Sequence, residues 1–188
     1  MIVSDLFESS PDTPAGSRSQ DLNLGKLWLC RTLKRLGHDD FDNVYVLGSW
    51  YGSMAQYILE RNIACNKLFL IDIDPENTQY AQENALSDKV VPVTQDCNTV
   101  AFEADDSLVI NTSTNDIKGS TWFENIPAGS IVALQGRDQQ RENDNNHHQT
   151  LEQFNQAYPL VETYFLNQIT LECEEGKEYN RFMKIGLK

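Results

Sequence analysis

The chain has 188 residues, 40% hydrophobic and 23% charged, which suits one globular domain with a sizeable core. Lysine and arginine number 15 against 28 aspartates and glutamates, a net charge of −13. Such an acidic surface repels phosphate backbones and anionic bilayers, which argues against nucleic-acid and membrane partners.

Residues 1–19 are rich in Ser, Pro, Asp and Gly and are expected to form a flexible arm or lid. They lack the basic start and apolar core of a secretion signal, and no apolar run approaches the roughly 20 residues that span a bilayer. We therefore expect a cytoplasmic protein, with residues 20–188 as a single domain. A helix is predicted over about 20–36, with Ser19 as cap, Gly37 at its end and an apolar stripe of Leu22, Leu29, Leu33 and Leu36. It should pack on a sheet and can border a ligand mouth. A first strand, VYVL, spans about 44–47, and the turn GSWYGS leads into a helix over about 53–61. The apolar run over 67–71 reads as a strand covered on both faces. Asp74-Pro75-Glu76 then starts a helix reaching to about 86, with Asp as cap and Pro at the first helical position.

Short strands follow over 90–93, 107–110 and 131–134, the first two joined by a polar connection with room for one helical turn. A short helix is predicted over 120–125, before the turn Pro127-Ala128-Gly129. GRDQQRENDNNHH, over 136–148, is polar and unpatterned and is expected to be a mobile surface loop. A helix over 149–157 precedes two extended segments, about 160–174 and 179–187, that form a terminal antiparallel hairpin. Arg181 shares a parity with Met183, Ile185 and Leu187 in the last segment.

A strand–turn–helix–strand unit makes two parallel neighbours with a crevice at their carboxyl ends. The ends of the first four strands supply Gly48 to Gly52, Asp72, Asp96 and Asn111. Glycines let the backbone approach a ligand, and the following helix offers free N–H groups. Asp72 is placed to accept from ribose hydroxyls, and Asp96 with the N–H of Cys97 can meet an adenine edge. The set suggests an adenosine-containing ligand. A dinucleotide is disfavoured, because Trp50 stands where G-x-G-x-x-G needs its middle glycine. Each position also has a purely structural use: a tight turn for the glycines, a cap for Asp72, and turn formation for Asp96 and for Asn111 to Ser113.

VYVLGSWYG, LFLIDIDPENTQYAQENA, VTQDCN, LVINTSTND and NIPAGSIVALQ, in that order and followed by the hairpin, resemble the class I S-adenosylmethionine-dependent methyltransferases. The resemblance covers about residues 44–188. It implies a three-layer α-β-α fold, a doubly wound Rossmann-like sheet of seven strands in the order 3-2-1-4-5-7-6. It implies S-adenosyl-L-methionine as cofactor, held by Gly48, Ser49, Trp50, Gly52, Asp72, Ile73, Asp96, Cys97 and Asn111. It also implies methyl transfer to a small-molecule acceptor, with Asn111 and Ser113 positioning the acceptor and Asp116 as proton acceptor. The Asn-Thr-Ser after strand four and the closing YNRFMKIGLK are similar to a small group of uncharacterised methyltransferase-like proteins from phages and environmental sequences.

Two positions depart from the family. Val46 stands where an acid often contacts the methionine amino group, and Trp50 replaces the central glycine. Two alternatives therefore stay open: a non-catalytic cofactor- or partner-binding module, and a use of the same cofactor other than methyl transfer. No metal site is expected, since His147 and His148 lack a third ligand at suitable spacing. Cys30, Cys65, Cys97 and Cys173 stand far apart and read as reduced, mostly buried thiols.

Overall fold

A computed structural model describes residues 20–103, 106–142, 144–173 and 175–188. The arm expected over 1–19 lies outside these residues. The element order is α1 (Gln20–Leu36), β1 (Asp40–Leu47), α2 (Ser53–Glu60), β2 (Ala64–Asp72), α3 (Pro75–Glu83), β3 (Val90–Thr94), a 3-10 turn (Cys97–Thr99), β4 (Ser107–Asn111), α4 (Thr121–Glu124), β5 (Ile131–Arg137), α5 (Leu151–Ala157), β6 (Glu162–Glu172) and β7 (Glu178–Leu187).

The strands form one sheet in the order β3-β2-β1-β4-β5-β7-β6. β3 to β5 are parallel, and β7 runs antiparallel to both β5 and β6. The expected order and closing hairpin are both present. Side chains alternate cleanly between the two faces, as the two-residue strand period requires. Val44 and Val46 of β1, Leu108 and Ile110 of β4, and Met183 and Ile185 of β7 join one core with Leu29 and Leu33 of α1 and Met54 and Ile58 of α2. Tyr45 and Leu47, Val109, and Phe182 join a second core with Trp122, Phe123, Phe154 and Tyr158. That second core is a web of rings, with Trp122, Phe123, Phe154 and His148 all within 5.3–5.7 Å of Tyr158 between centroids.

Several boundaries differ from expectation. β1 begins at Asp40 and β2 at Ala64, each earlier than hydrophobicity suggests. Their first residues pair with each other, Asp40 with Ala64 and Phe41 with Cys65, so register extends both strands past the apolar run. α3 stops at Glu83, three residues short of Leu86, which is exposed. The largest correction is the expected mobile loop over 136–148. β5 runs on through Gly136 and Arg137, which are buried and paired with β7. Beyond it, the Asn145 and Asn146 amides donate to the carbonyl of Asn115 at 2.8 and 3.1 Å. Asn146 Nδ2 also donates to the carbonyls of Thr114 and Ile117. Part of the polarity here goes into hydrogen bonds to a neighbouring loop, while Gln140, Arg141, Glu142 and Asn145 are exposed.

Candidate functional site

The crevice opens at the carboxyl ends of β1, β4 and β5, where the strand order reverses. A cleft of about 580 Å³, open to solvent, lies there. One wall is the turn between β1 and α2, with Gly48, Ser49, Trp50 and Ser53. The opposite wall is the loop after β4, with Thr112, Ser113 and Asp116. α1 closes a third side with Leu22 and Lys26, so this helix does border the mouth as expected.

The turn is built by hydrogen bonds that its sequence provides. Ser49 N–H donates to Ile71 O at 3.0 Å, and Trp50 N–H donates to Asp72 Oδ2 at 2.8 Å. Trp50 adopts φ +50°, in the left-handed region that side chains seldom occupy, with its indole 41% exposed. Gly52 caps α2 at φ +80°, where a side chain would meet Leu70 at 2.9 Å and Ala81 at 3.3 Å. Only glycine fits both that conformation and that contact.

Asp72 is buried behind this turn. Its Oδ1 accepts from Asp74 N–H at 3.0 Å and Asn77 Nδ2 at 3.1 Å, while Oδ2 accepts from Trp50. A carboxylate has about four lone-pair positions, so one remains on Oδ2. Ile73 beside it is 70% exposed. Asp96 caps the 3-10 turn, accepting from the amide and the Nδ2 of Asn98, both at 2.9 Å. Cys97 is buried beside Gly48. Burial pushes its thiol up to about 11, with the nearby carboxylates of Asp72 and Asp96 acting in the same direction. That thiol is a packed group rather than a nucleophile.

Across the cleft, Asn111 is fully buried and its Oδ1 accepts from Ser113 N–H at 2.9 Å. Among the described residues its Nδ2 has no partner, and neither does the buried Oγ of Ser49. Ser113 Oγ reaches Gly48 O at 3.4 Å, so the two walls approach each other there. Asp116 is bound by Arg137 Nη2 at 2.9 Å. Of the residues expected at the site, Gly48, Ser49, Trp50, Ser113 and Asp116 line the cleft. Asn111 ends β4 in their midst. Gly52, Asp72, Ile73, Asp96 and Cys97 do not line it, and they stand on the β2–β3 side of the turn.

The sequence reading missed the basic groups. Lys26, Arg137, Arg141 and Arg181 all line the cleft. Arg137 is buried on β5 and Arg181 on β7. Arg181 donates from Nε to Gln135 Oε1 at 3.2 Å and from Nη2 to Thr112 O at 2.9 Å. It passes beneath α1 at Gly25, where a Cβ would stand 2.9 Å from its Nε. A glycine inside a helix costs about 1 kcal/mol relative to alanine, and here it makes room for a guanidinium. Lys26 Nζ donates to Ser53 Oγ at 2.6 Å. Burial, then the charge of Arg181, lower this ammonium to about 8. The available signal was an arginine on the buried parity of a strand.

Among the described residues there is no group of three or more His, Cys, Asp and Glu side chains able to hold a metal ion, and no helix long and apolar enough to cross a membrane. His147 Nε2 meets Asp138 O at 2.8 Å, and His148 is packed among the rings of the second core.

No protein-family model matches the chain, and no curated protein matches it in sequence. Its fold does match solved structures. The N-methyltransferase NodS from Bradyrhizobium japonicum WM9, in complex with S-adenosyl-L-homocysteine, superposes with TM-score 0.63 at 13% identity, over 94% of this chain and 93% of that one. A chain of the complex formed by the Haloferax volcanii Trm112 methyltransferase activator gives 0.66 at 12%, over 87% and 90%. A SAM-dependent methyltransferase from Aquifex aeolicus gives 0.56 at 13%, over 84% and 88%. At these identities the likeness is one of architecture: the chain has the Rossmann-like fold of the S-adenosylmethionine-dependent methyltransferases.

Proposed function

We propose that the chain is a cytoplasmic S-adenosylmethionine-dependent methyltransferase with a small-molecule acceptor. The observation that carries this reading is the cleft at the reversal of strand order, where Ser49 Oγ on its wall and Asn111 Nδ2 at the adjoining end of β4 are buried with no hydrogen-bond partner among the described residues. Buried polar atoms are nearly always paired, so two orphans beside one cleft point to a ligand that completes them. The remaining lone pair on Asp72 Oδ2 fits a single hydroxyl donor.

On this reading Gly48, Ser49, Trp50, Gly52 and Asn111 hold the methionine side of the cofactor. Asp72 and Ile73 hold the ribose side, and Asp96 and Cys97 the adenine side. The bound cofactor supplies an activated methyl group. The protein's part is to orient the acceptor and exclude water, which can supply roughly 7–11 kcal/mol. Asn111 and Ser113 position the acceptor, and the exposed Asp116 carboxylate receives a proton where the acceptor must lose one. The narrower kinship with phage and environmental methyltransferase-like proteins belongs to this proposal too, and rests on the Asn-Thr-Ser and YNRFMKIGLK segments alone.

Calorimetric titration with S-adenosylmethionine, S-adenosylhomocysteine and NAD tests the reading. The first two are expected to bind and NAD to fail; preference for NAD overturns it. Asn111→Asp keeps the oxygen that accepts from Ser113 and removes the orphan donor. Losing one buried hydrogen bond to a ligand should weaken binding by about tenfold or more. A second reading, a binding module without turnover, is favoured by Val46, which offers no carboxylate to an ammonium group. Cofactor binding with no product across acceptor panels would select it. Product mass separates methyl transfer, which leaves S-adenosylhomocysteine, from other uses of the cofactor.

A further inference from the structure

The charge of the cleft is opposite to that of the molecule. A chain of net charge −13 lines it with Lys26, Arg137, Arg141 and Arg181 against the single carboxylate of Asp116. That carboxylate is bound by Arg137, as is Asp144. Lys26 and Arg181 have no carboxylate within 4.0 Å among the described residues. Their partners are neutral oxygens: Ser53 Oγ for Lys26, and Gln135 Oε1, Thr112 O and the Tyr179 hydroxyl for Arg181. Asp21 acts on both only at longer range, and its own Oδ2 accepts from the Tyr179 hydroxyl at 2.8 Å. Arg137 is 3% exposed, and its Nε has no hydrogen-bond partner among the described residues.

We infer that the cleft takes a small anionic molecule, its carboxylate or phosphate group held by Lys26 and Arg181, with Arg137 behind them and Arg141 at the mouth. On the methyl-transfer reading above, on which the word acceptor rests, this names the acceptor class. Buried cations without a counter-ion are costly, and like charges side by side are more so. Burial depresses Arg181, and Arg137 adds to this while Tyr179 and Asp21 oppose it; burial and Arg181 depress Lys26, with Asp21 opposing. An oxyanion reverses each of these penalties and gives the guanidinium a planar, two-point partner. The cofactor's own carboxylate is the competing oxyanion for this cluster, and competition with S-adenosylhomocysteine separates the two.

The test uses the whole chain and two probes, inorganic phosphate and succinate, followed by NMR shifts of backbone amides and arginine Nε–H groups. At least one probe should move the signals of Lys26 and Arg181. Lys26→Gln and Arg181→Gln should each weaken it about tenfold or more. Lys26 is half-buried on a helix, so its variant serves if the Arg181 variant fails to fold. Binding of succinate alone assigns a carboxylate, and of phosphate alone a phosphate. The inference is overturned if neither probe binds, or if Lys26→Gln leaves binding unchanged. It is also overturned if saturating S-adenosylhomocysteine displaces the probe, because the cluster then holds the cofactor's own carboxylate. Anion binding without cofactor binding removes the methyl-transfer reading and keeps the anion site. Cofactor binding without anion binding does the reverse.

Discussion

The two sides of the crevice handle charge in opposite ways. On the β2–β3 side the charges are acids, and each closes its own turn. Asp72 holds Trp50 and Asp74, Asp74 caps α3 through Glu76 N–H, and Asp96 caps its 3-10 turn through Asn98. On the α1–β7 side two bases, Lys26 and Arg181, are held by neutral oxygens, while the acid Asp21 is bound to the Tyr179 hydroxyl. A charge that satisfies itself maintains shape and gives little sign of a ligand. A charge left with weak partners in a cleft is the better marker of one.

The contrast predicts that the acids weigh on stability as well as on the cofactor contacts proposed for Asp72 and Asp96, and that the bases weigh on binding. Asp72→Ala removes three hydrogen bonds to a buried carboxylate. At roughly 1.5–3 kcal/mol each before relaxation, a net loss of about 4 kcal/mol is expected. For a domain of this size that lowers Tm by about 10 °C in calorimetry. A shift under about 2 °C would break the comparison from the acidic side.

Lys26 should behave in the other way. Its folded value of about 8 lies below the ordinary 10.5, so between these pH values the unfolded chain holds a proton that the folded chain has released. Stability therefore rises with pH across that window, and the folded state bears the burden of the charge below it. Lys26→Met should abolish the rise and make the variant more stable than the parent at pH 7 by about 1–3 kcal/mol. Melting both proteins at pH 7 and pH 10 checks this, and an equal pH response in both sinks it. Gly25→Ala should change stability by less than about 1 kcal/mol, since helix propensity offsets the crowding. The same change pushes Arg181 aside, so succinate or phosphate binding should weaken, read by titration. The smallest effect is chemical. Burial raises the thiols of Cys97 to about 11 and Cys30 to about 12, whereas Cys173 is only half-buried. A thiol reagent at pH 8 should modify Cys173 first, and Cys97 reacting equally fast would show that the β2–β3 side opens.

The sheet was legible because its signals are local and repeated. Apolar runs, the cap Asp74-Pro75, and the turns at Gly48 and Gly129 recur in an order that few folds share. The acidic side of the crevice was legible for the same reason, as Asp72 and Asp96 end strands that the hydrophobic pattern already marks. The basic side was not. Lys26, Arg137 and Arg181 come from three elements more than 40 residues apart and form no run. Only the antiparallel docking of β7 on β5 places Arg181 opposite Arg137. The surface loop was legible over 138–146 but not at Gly136 and Arg137, where strand pairing with β7 carries β5 into a polar stretch.

Asn115 carries a consequence for motion. Its side chain accepts from Arg137 N–H at 3.0 Å and donates to Arg137 O at 3.1 Å, while its carbonyl accepts from Asn145 and Asn146. One asparagine thus imitates a strand on one side and anchors a loop on the other. Neither loop can open without releasing the other. In amide hydrogen exchange, Arg137, Asn145 and Asn146 are expected to share a single opening free energy. Exchange between free and bound states is then expected to follow substitutions on the facing wall, where Trp50 lines the cleft and is partly exposed, rather than in the loops.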